Sequence, residues 1–313
     1  MKILLTGASG FVGKALYKEL LTLGHEVVAG VRSAEKAIGF SEYTIVGDID
    51  QYTNWSEALL NVDVVVHLAA RVHVLKESSQ DSLALFRKVN LNGTLNLAIQ
   101  ASQSNVKRFI FISSVKAVAD SSVIGFPIHA DQKMLPVDPY GISKAEAESA
   151  LIKIAHKNKM EYVIVRPPLI YGLGVKANFL KVIKMLKLQI PLPFKCLTLN
   201  LRSFVSLNNF ISFLVVCINH PLAANQAFMV SDGEDLSTAS LLNRLCFAMG
   251  KRVRLFCIRP IYLEFLLRVL GKSDMAKSLL GTLQVNIDKN YQMLSWKPSR
   301  PLDEEFRDLM QSF

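Results

Sequence analysis

The chain has 313 residues, half of them apolar and a fifth charged, with 36 Lys+Arg against 26 Asp+Glu and a formal net charge of +10. That balance excludes a disordered polymer, and the length suits one large α/β domain with an appended lobe or two modest domains. The four cysteines (Cys196, Cys217, Cys246, Cys257) are widely spaced and form no CxxC, so they indicate neither a disulfide framework nor a zinc site. They read as small core residues in a reducing compartment.

In chain order, Lys2–Thr6 reads as a buried strand and Phe11–Leu23 as a helix closed by Gly24. Glu26–Val31, Tyr43–Val46 and Val62–Leu68 follow as strands, then a helix from about residue 81 to Ser104. Next come the strand Arg108–Ile112, the helix Tyr140–Lys157 and the strand Tyr162–Val165, stopped by Pro167-Pro168. Further helices are predicted near Asn178–Leu188, Leu207–Asn219, Ser237–Met249 and Pro260–Leu270. Short β-rich runs alternating with helices argue for βαβ units on a parallel sheet.

The first strand runs directly into Thr6-Gly7-Ala8-Ser9-Gly10-Phe11-Val12-Gly13. Glycines at 7, 10 and 13 permit a tight turn, close backbone approach to a pyrophosphate, and packing of helix on strand. The helix start then offers backbone N–H donors to the anion. Strand before, helix after: that context makes the motif a dinucleotide site, with Gly7, Ser9, Gly10, Phe11, Val12 and Gly13 as its contacts. The fold class is therefore α/β, a Rossmann-type doubly wound parallel sheet with a smaller C-terminal substrate-binding lobe. Residues 1–166 form the dinucleotide-binding domain, with a returning segment near 203–231, and residues 167–313 are mainly the substrate-binding lobe.

The end of the second strand reads Val31-Arg32-Ser33, without the carboxylate an NAD site places there. Arg32 is suited to a 2′-phosphate, which favours NADP(H) and leaves NAD(H) possible. Asp48 and Ile49, after the third strand, are placed to touch the adenine. On a helix, Tyr140 and Lys144 share a face, so an ammonium lies beside a phenol and is expected to lower its pKa. A hydroxyl from Ser114, at the end of the strand before, is positioned to polarise a carbonyl. Lys144 is also suited to the nicotinamide ribose.

These motifs resemble the extended short-chain dehydrogenases/reductases of the nucleotide-sugar epimerase/dehydratase type. The likeness runs through Thr6–Gly13, Gly47-Asp48-Ile49, His67-Leu68-Ala69-Ala70, Asn90, Ser113-Ser114, Tyr140 to Lys144, Arg166-Pro167, Tyr171-Gly172 and Ser295-Trp296-Lys297-Pro298. It implies Ser114, Tyr140 and Lys144 as the catalytic set, with Ala69, Ala70 and Asn90 supporting the cofactor. It also implies Pro168 and Tyr171 near the nicotinamide, and Ser114, Asn178 and Arg202 on a nucleotide-diphosphate sugar. The resemblance further implies a homodimer. Val115 and Lys116 stand where dehydratases carry Asp-Glu, so water elimination is not expected. The surrounding loops resemble bacterial UDP-4-keto-6-deoxy-N-acetylglucosamine 4-reductases, a subgroup also described as UDP-glucose 4-epimerases. The implied activity is reduction at C4 of such a keto sugar in surface-polysaccharide precursor synthesis; the alternative is a UDP-hexose 4-epimerase with bound NAD.

The remaining features read blandly. His67 ends a buried strand and is expected to be a hydrogen-bonded core histidine, and no cluster has metal-ligand spacing. Lys116 is either a substrate contact or a solvated loop residue. Residues 162–231 hold seven bases (Arg166, Lys176, Lys181, Lys184, Lys187, Lys195, Arg202) and no acid, so most of the +10 lies there. Without a nucleic-acid motif, that excess points first to a small dianion. Arg252, Arg254 and Arg259 precede an apolar helix, which admits a membrane surface without favouring it. The most apolar window, Phe204–Ile218, is too short for a spanning helix, and no signal sequence precedes the first strand, so the chain reads as cytoplasmic.

Overall fold

The computed structural model describes residues 1–72, 82–175, 177–271 and 273–311, with backbone alone for helical residues 177–178, 273–275 and 278. The chain runs through β1 (Lys2–Thr6), α1 (Phe11–Thr22), β2 (Glu26–Val31), α2 (Ala34–Ala37), β3 (Tyr43–Ile45) and β4 (Val64–His67). It continues with α3 (Ser82–Phe86), α4 (Thr94–Gln103), β5 (Arg108–Ile112), α5 (Pro139–Asn158), β6 (Glu161–Arg166) and β7 (Leu169–Tyr171). Then follow α6 (Ala177–Lys187), β8 (Arg202–Ser206), α7 (Leu207–Asn219), β9 (Gln226–Met229) and β10 (Asp235–Leu236). The last elements are α8 (Thr238–Ala248), α9 (Pro260–Val269), α10 (Ser273–Leu280), α11 (Asp288–Leu294) and α12 (Leu302–Gln311).

Seven strands form one sheet in the order β3-β2-β1-β4-β5-β6-β9, and every pairing in it is parallel. Alternate residues serve opposite faces, as the period of two requires. Ile3, Leu5, Val64, Val66 and Ile110 pack with α1 and α7 on one face. Leu4, Val65, Phe109 and Phe111 pack with Trp55, α4 and α5 on the other. A second sheet, β10-β8-β7, belongs to the C-terminal lobe, where Tyr171, Phe179, Leu245 and Phe306 share a separate core.

The returning segment supplies both α7 and the seventh strand. The apolar window resolves into β8 and a 13-residue helix buried on α1, and no helix among the described residues is long and apolar enough to cross a membrane. Arg108 anchors it: Nη1 donates to the carbonyls of Cys217, Ile218 and His220 at 2.8–3.0 Å, satisfying the open end of α7, while Nε donates to Glu161 at 2.8 Å.

Two expectations change. The helix predicted up to Ser104 is interrupted by a π-helical turn, Arg87–Gly93, between α3 and α4. Gly93, in that turn, lets Ile49 approach closely, since a Cβ there would lie 2.6 Å from Ile49 Cγ2. Cys196 and Cys257 are not core residues: they are disulfide-bonded, with Cα atoms 5.1 Å apart. Bridges Leu192–Leu255 and Phe194–Cys257 align the two segments, a contact invisible at a separation of 61 residues. Cys217 and Cys246 are free and buried, as expected.

Candidate active site

The glycine turn is built by backbone contact. Gly7 has φ +69° and lies against the Leu68–Ala69 backbone; a Cβ there would stand 2.8 Å from Ala69 N. A Cβ on Gly13 would stand 2.2 Å from Gly7 O, so helix and turn touch only because both are glycine. Gly10 is the N-cap of α1 and provides no side-chain cap, leaving the first-turn donors of Phe11, Val12 and Gly13 open beside Ser9. A cradle this close, ending in uncapped N–H groups, fits the pyrophosphate of a dinucleotide.

Beneath the turn runs a polar chain whose Thr6, His67, Thr94 and Asn90 are buried. Ala69 N–H donates to Thr6 Oγ1 at 3.3 Å, and Thr6 Oγ1 meets His67 Nδ1 at 2.7 Å. Thr94 Oγ1 lies 3.0 Å from His67 Nε2 and donates its only proton to Asn90 O at 2.7 Å. Nε2 must therefore carry the imidazole proton, and Nδ1 accepts from Thr6. Burial lowers the His67 pKa to about 3, consistent with a neutral structural histidine. Asn90, in the π turn, donates to Arg71 O at 3.0 Å and Ser143 Oγ at 3.1 Å, and accepts from Arg71 N at 2.8 Å. Its amide thus holds the loop carrying Ala69 and Ala70 onto α5.

At the far end of the cradle, Arg32 Nε pairs with Asp48 Oδ1 at 2.8 Å, both side chains well exposed (76% and 80%). The guanidinium expected to receive a 2′-phosphate already faces a carboxylate, contributed by the loop after β3 rather than by the end of β2. Ile49 packs onto Gly93.

Helix α5 sets the catalytic candidates. Asp138 caps it by accepting from Gly141 N–H at 2.6 Å, Pro139 opens it, and Gly141 packs on the Lys116 carbonyl, 2.3 Å from where a Cβ would be. Tyr140 hydrogen-bonds Ser114, and its ring lies edge-on to Phe86 with centroids 5.8 Å apart. Lys144 is buried, donates to Ile112 O at 2.8 Å, and holds Nζ 4.5 Å from the Phe111 ring centroid. One turn on, Glu148 is fully buried against Arg166: Nε donates to Oε1 at 3.0 Å, Nη2 to Oε2 at 2.5 Å, and Nη1 to Ala130 O at 2.6 Å.

The electrostatics differ from the simple pair picture. Burial and the nearby Asp138 carboxylate push the Tyr140 phenol up to about 12, against the lowering expected from Lys144. Burial brings the Lys144 ammonium down to about 7, with Glu148 opposing that fall. Ser113, one residue before Ser114, is buried, and its Oγ has no hydrogen-bond partner among the described residues.

Other candidates fall elsewhere. Lys116 is ion-paired with Asp138 rather than open to a ligand. Arg166 belongs to its buried pair and leaves the basic patch. Pro168 is buried between β6 and β7, at the C-terminal edge of the sheet. Tyr171 is buried in the lobe core, its hydroxyl donating to Asp232 at 2.7 Å, so it does not line an open cleft. Arg202 donates to Gly281 O at 3.2 Å, has no carboxylate partner among the described residues, and has its pKa lowered by burial. The Asn178 side chain lies outside the described residues. Sequence reasoning placed Arg166 in the basic stretch and missed its pairing with Glu148; the signal for Glu148 was the continued four-residue spacing from Tyr140 and Lys144.

Residues 3–230 match the NAD dependent epimerase/dehydratase family. The chain belongs to this family. It is 45% identical, over 99% of its own length and 95% of its relative's, to a UDP-glucose 4-epimerase of Vibrio cholerae. In structure it is similar to UDP-N-acetylglucosamine 4-epimerase from Bacillus cereus (TM-score 0.81, 19% identity, 99% and 98% of the two chains covered). It is also similar to UDP-glucose 4-epimerase from Thermotoga maritima in a complex with UDP-glucose (TM-score 0.79, 21% identity, 100% and 98% covered). Membership makes this chain an enzyme of the extended short-chain dehydrogenase/reductase type, and the two structures share its fold.

Proposed function

We propose that the chain is a UDP-sugar 4-epimerase working with a retained NAD. The observation that favours this over the NADP-dependent 4-reductase is the Arg32–Asp48 pair. A carboxylate there opposes the extra charge of a 2′-phosphate and accepts from ribose hydroxyls, which suits NAD. The 45% relative, an epimerase by name, supports the same reading.

In this reading the glycine turn and the uncapped start of α1 hold the pyrophosphate, and Lys144 holds the nicotinamide ribose. NAD, when bound, supplies the hydride acceptor. Tyr140, as its phenolate, would take the proton of the C4 hydroxyl as C4 gives up its hydride, and would return it to the C4 alkoxide formed when the hydride comes back to the opposite face of the ketone, while Ser114 orients the C4 oxygen. Lys144, brought down to about 7 by burial, stands one turn from Tyr140 on the same face of α5, where its protonated form favours the phenolate. Arg202 and Asn178 receive the diphosphate.

The test is purification without added cofactor, identification of the released dinucleotide, and assay with UDP-glucose and UDP-N-acetylglucosamine. Retained NAD with interconversion of gluco and galacto sugars is expected. NADPH oxidation with UDP-4-keto-6-deoxy-N-acetylglucosamine, in the absence of epimerisation, would restore the reductase.

A further inference from the structure

We infer that α9 and the basic segment leading into it form a docking surface for an anionic lipid bilayer. A helix of a folded lobe normally turns its apolar stripe inward. In α9 the stripe faces outward: Ile261 (69% exposed), Tyr262, Phe265 (69%), Leu266 and Val269 (67%) recur at helical spacing, and Leu263 alone is buried. Glu264 and Arg268 pair with each other at 2.6 Å, so the helix has no net charge of its own.

The approach to α9 is cationic. Residues 251–259 carry Lys251, Arg252, Arg254 and Arg259 without an acid. The three arginines make no ion pair among the described residues, and Phe256 stands exposed between them. This segment is held firmly by its bridges to Leu192 and Phe194 and by the Cys196–Cys257 bond. A rigid rim of unpaired arginines around an apolar helix bearing an interfacial tyrosine matches an anionic headgroup layer over acyl chains. A second copy matches less well, because a twofold contact through α9 would bring the two basic rims together. A cavity of about 570 Å³ lies between α9 and α10, lined by Glu264, Arg268, Lys277 and Gly281. Arg202 donates to that Gly281, so docking would set the proposed diphosphate end of the site beside the bilayer.

The experiment is cosedimentation of the full chain with phosphatidylcholine vesicles, with and without phosphatidylglycerol. Binding is expected only with phosphatidylglycerol and is expected to weaken with salt. Phe265→Glu should abolish it, and Arg252→Gln/Arg254→Gln should weaken it about 25-fold, on the order of fivefold per charge. Far-ultraviolet circular dichroism verifies that each variant is folded. Indifference of the wild type to phosphatidylglycerol overturns the proposal, as does undiminished binding by folded Phe265→Glu. A dimer that Phe265→Glu dissociates, with no vesicle binding by the wild type, assigns the face to a second copy. The readout is independent of turnover, so this proposal and the epimerase reading fail separately.

Discussion

The cofactor side of the sheet and the face of the C-terminal lobe around α9 treat their cations differently. Around the glycine turn, Thr6, His67, Thr94, Asn90 and Ser143 bond one another, and Arg108, Arg166 and Lys116 each meet a carboxylate. In the lobe, Arg202, Arg252, Arg254 and Arg259 have no carboxylate among the described residues, and α9 shows its apolar stripe to solvent. A region that must hold two reacting molecules in fixed geometry gains from internally satisfied networks. Unpaired cations and bare apolar surface are the features on which the proposed docking rests.

The comparison breaks first at Tyr140. Tyr140→Phe should lower kcat by 10²–10⁴-fold while leaving the melting temperature and bound dinucleotide unchanged. Retained turnover would remove the phenol from the chemistry. Next is the internal pairing itself: Glu148→Gln strands the Arg166 guanidinium in the core and should cost about 3–5 kcal/mol in denaturant unfolding. Arg252→Gln, in the open region, should change stability by less than about 0.5 kcal/mol. Similar costs at the two sites would erase the contrast.

His67 sharpens the comparison through pH. Its folded pKa of about 3 lies below the unfolded value of 6.5, so between those values the unfolded chain binds more protons. Stability should therefore fall as pH drops from about 6.5 towards 3, by up to about 1.4 kcal/mol per unit from this group. His67→Gln, stable or not at neutrality, should show a shallower acid slope in chemical denaturation. A small effect is expected at the exposed Arg32–Asp48 pair: Asp48→Ala should shift dinucleotide preference toward NADP by about threefold, read by isothermal titration with the two cofactors. No shift would detach the pair from cofactor choice.

Much of the first region was legible from residues alone. The strands alternate with period two, the glycine turn lies between strand and helix, and Tyr140 and Lys144 share a helix face, so each signal lies within a few residues. The tyrosine pKa was misjudged because burial and Asp138 outweigh the cation suggested by spacing. The lobe was harder: β7, β8 and β10 are short, and their sheet joins segments from residues 169 to 236.

The sequence by itself determined the parallel βαβ architecture, the glycine turn between β1 and α1 and the shared helix face of Tyr140 and Lys144, because local periodicity and backbone sterics encode them. Tertiary structure alone decided that Asp48 answers Arg32, that Glu148 neutralises Arg166, that Cys196 meets Cys257, and that Tyr171 is buried on Asp232. Each of those contacts closes a long loop of chain, and only the packed core brings its two ends within bonding distance.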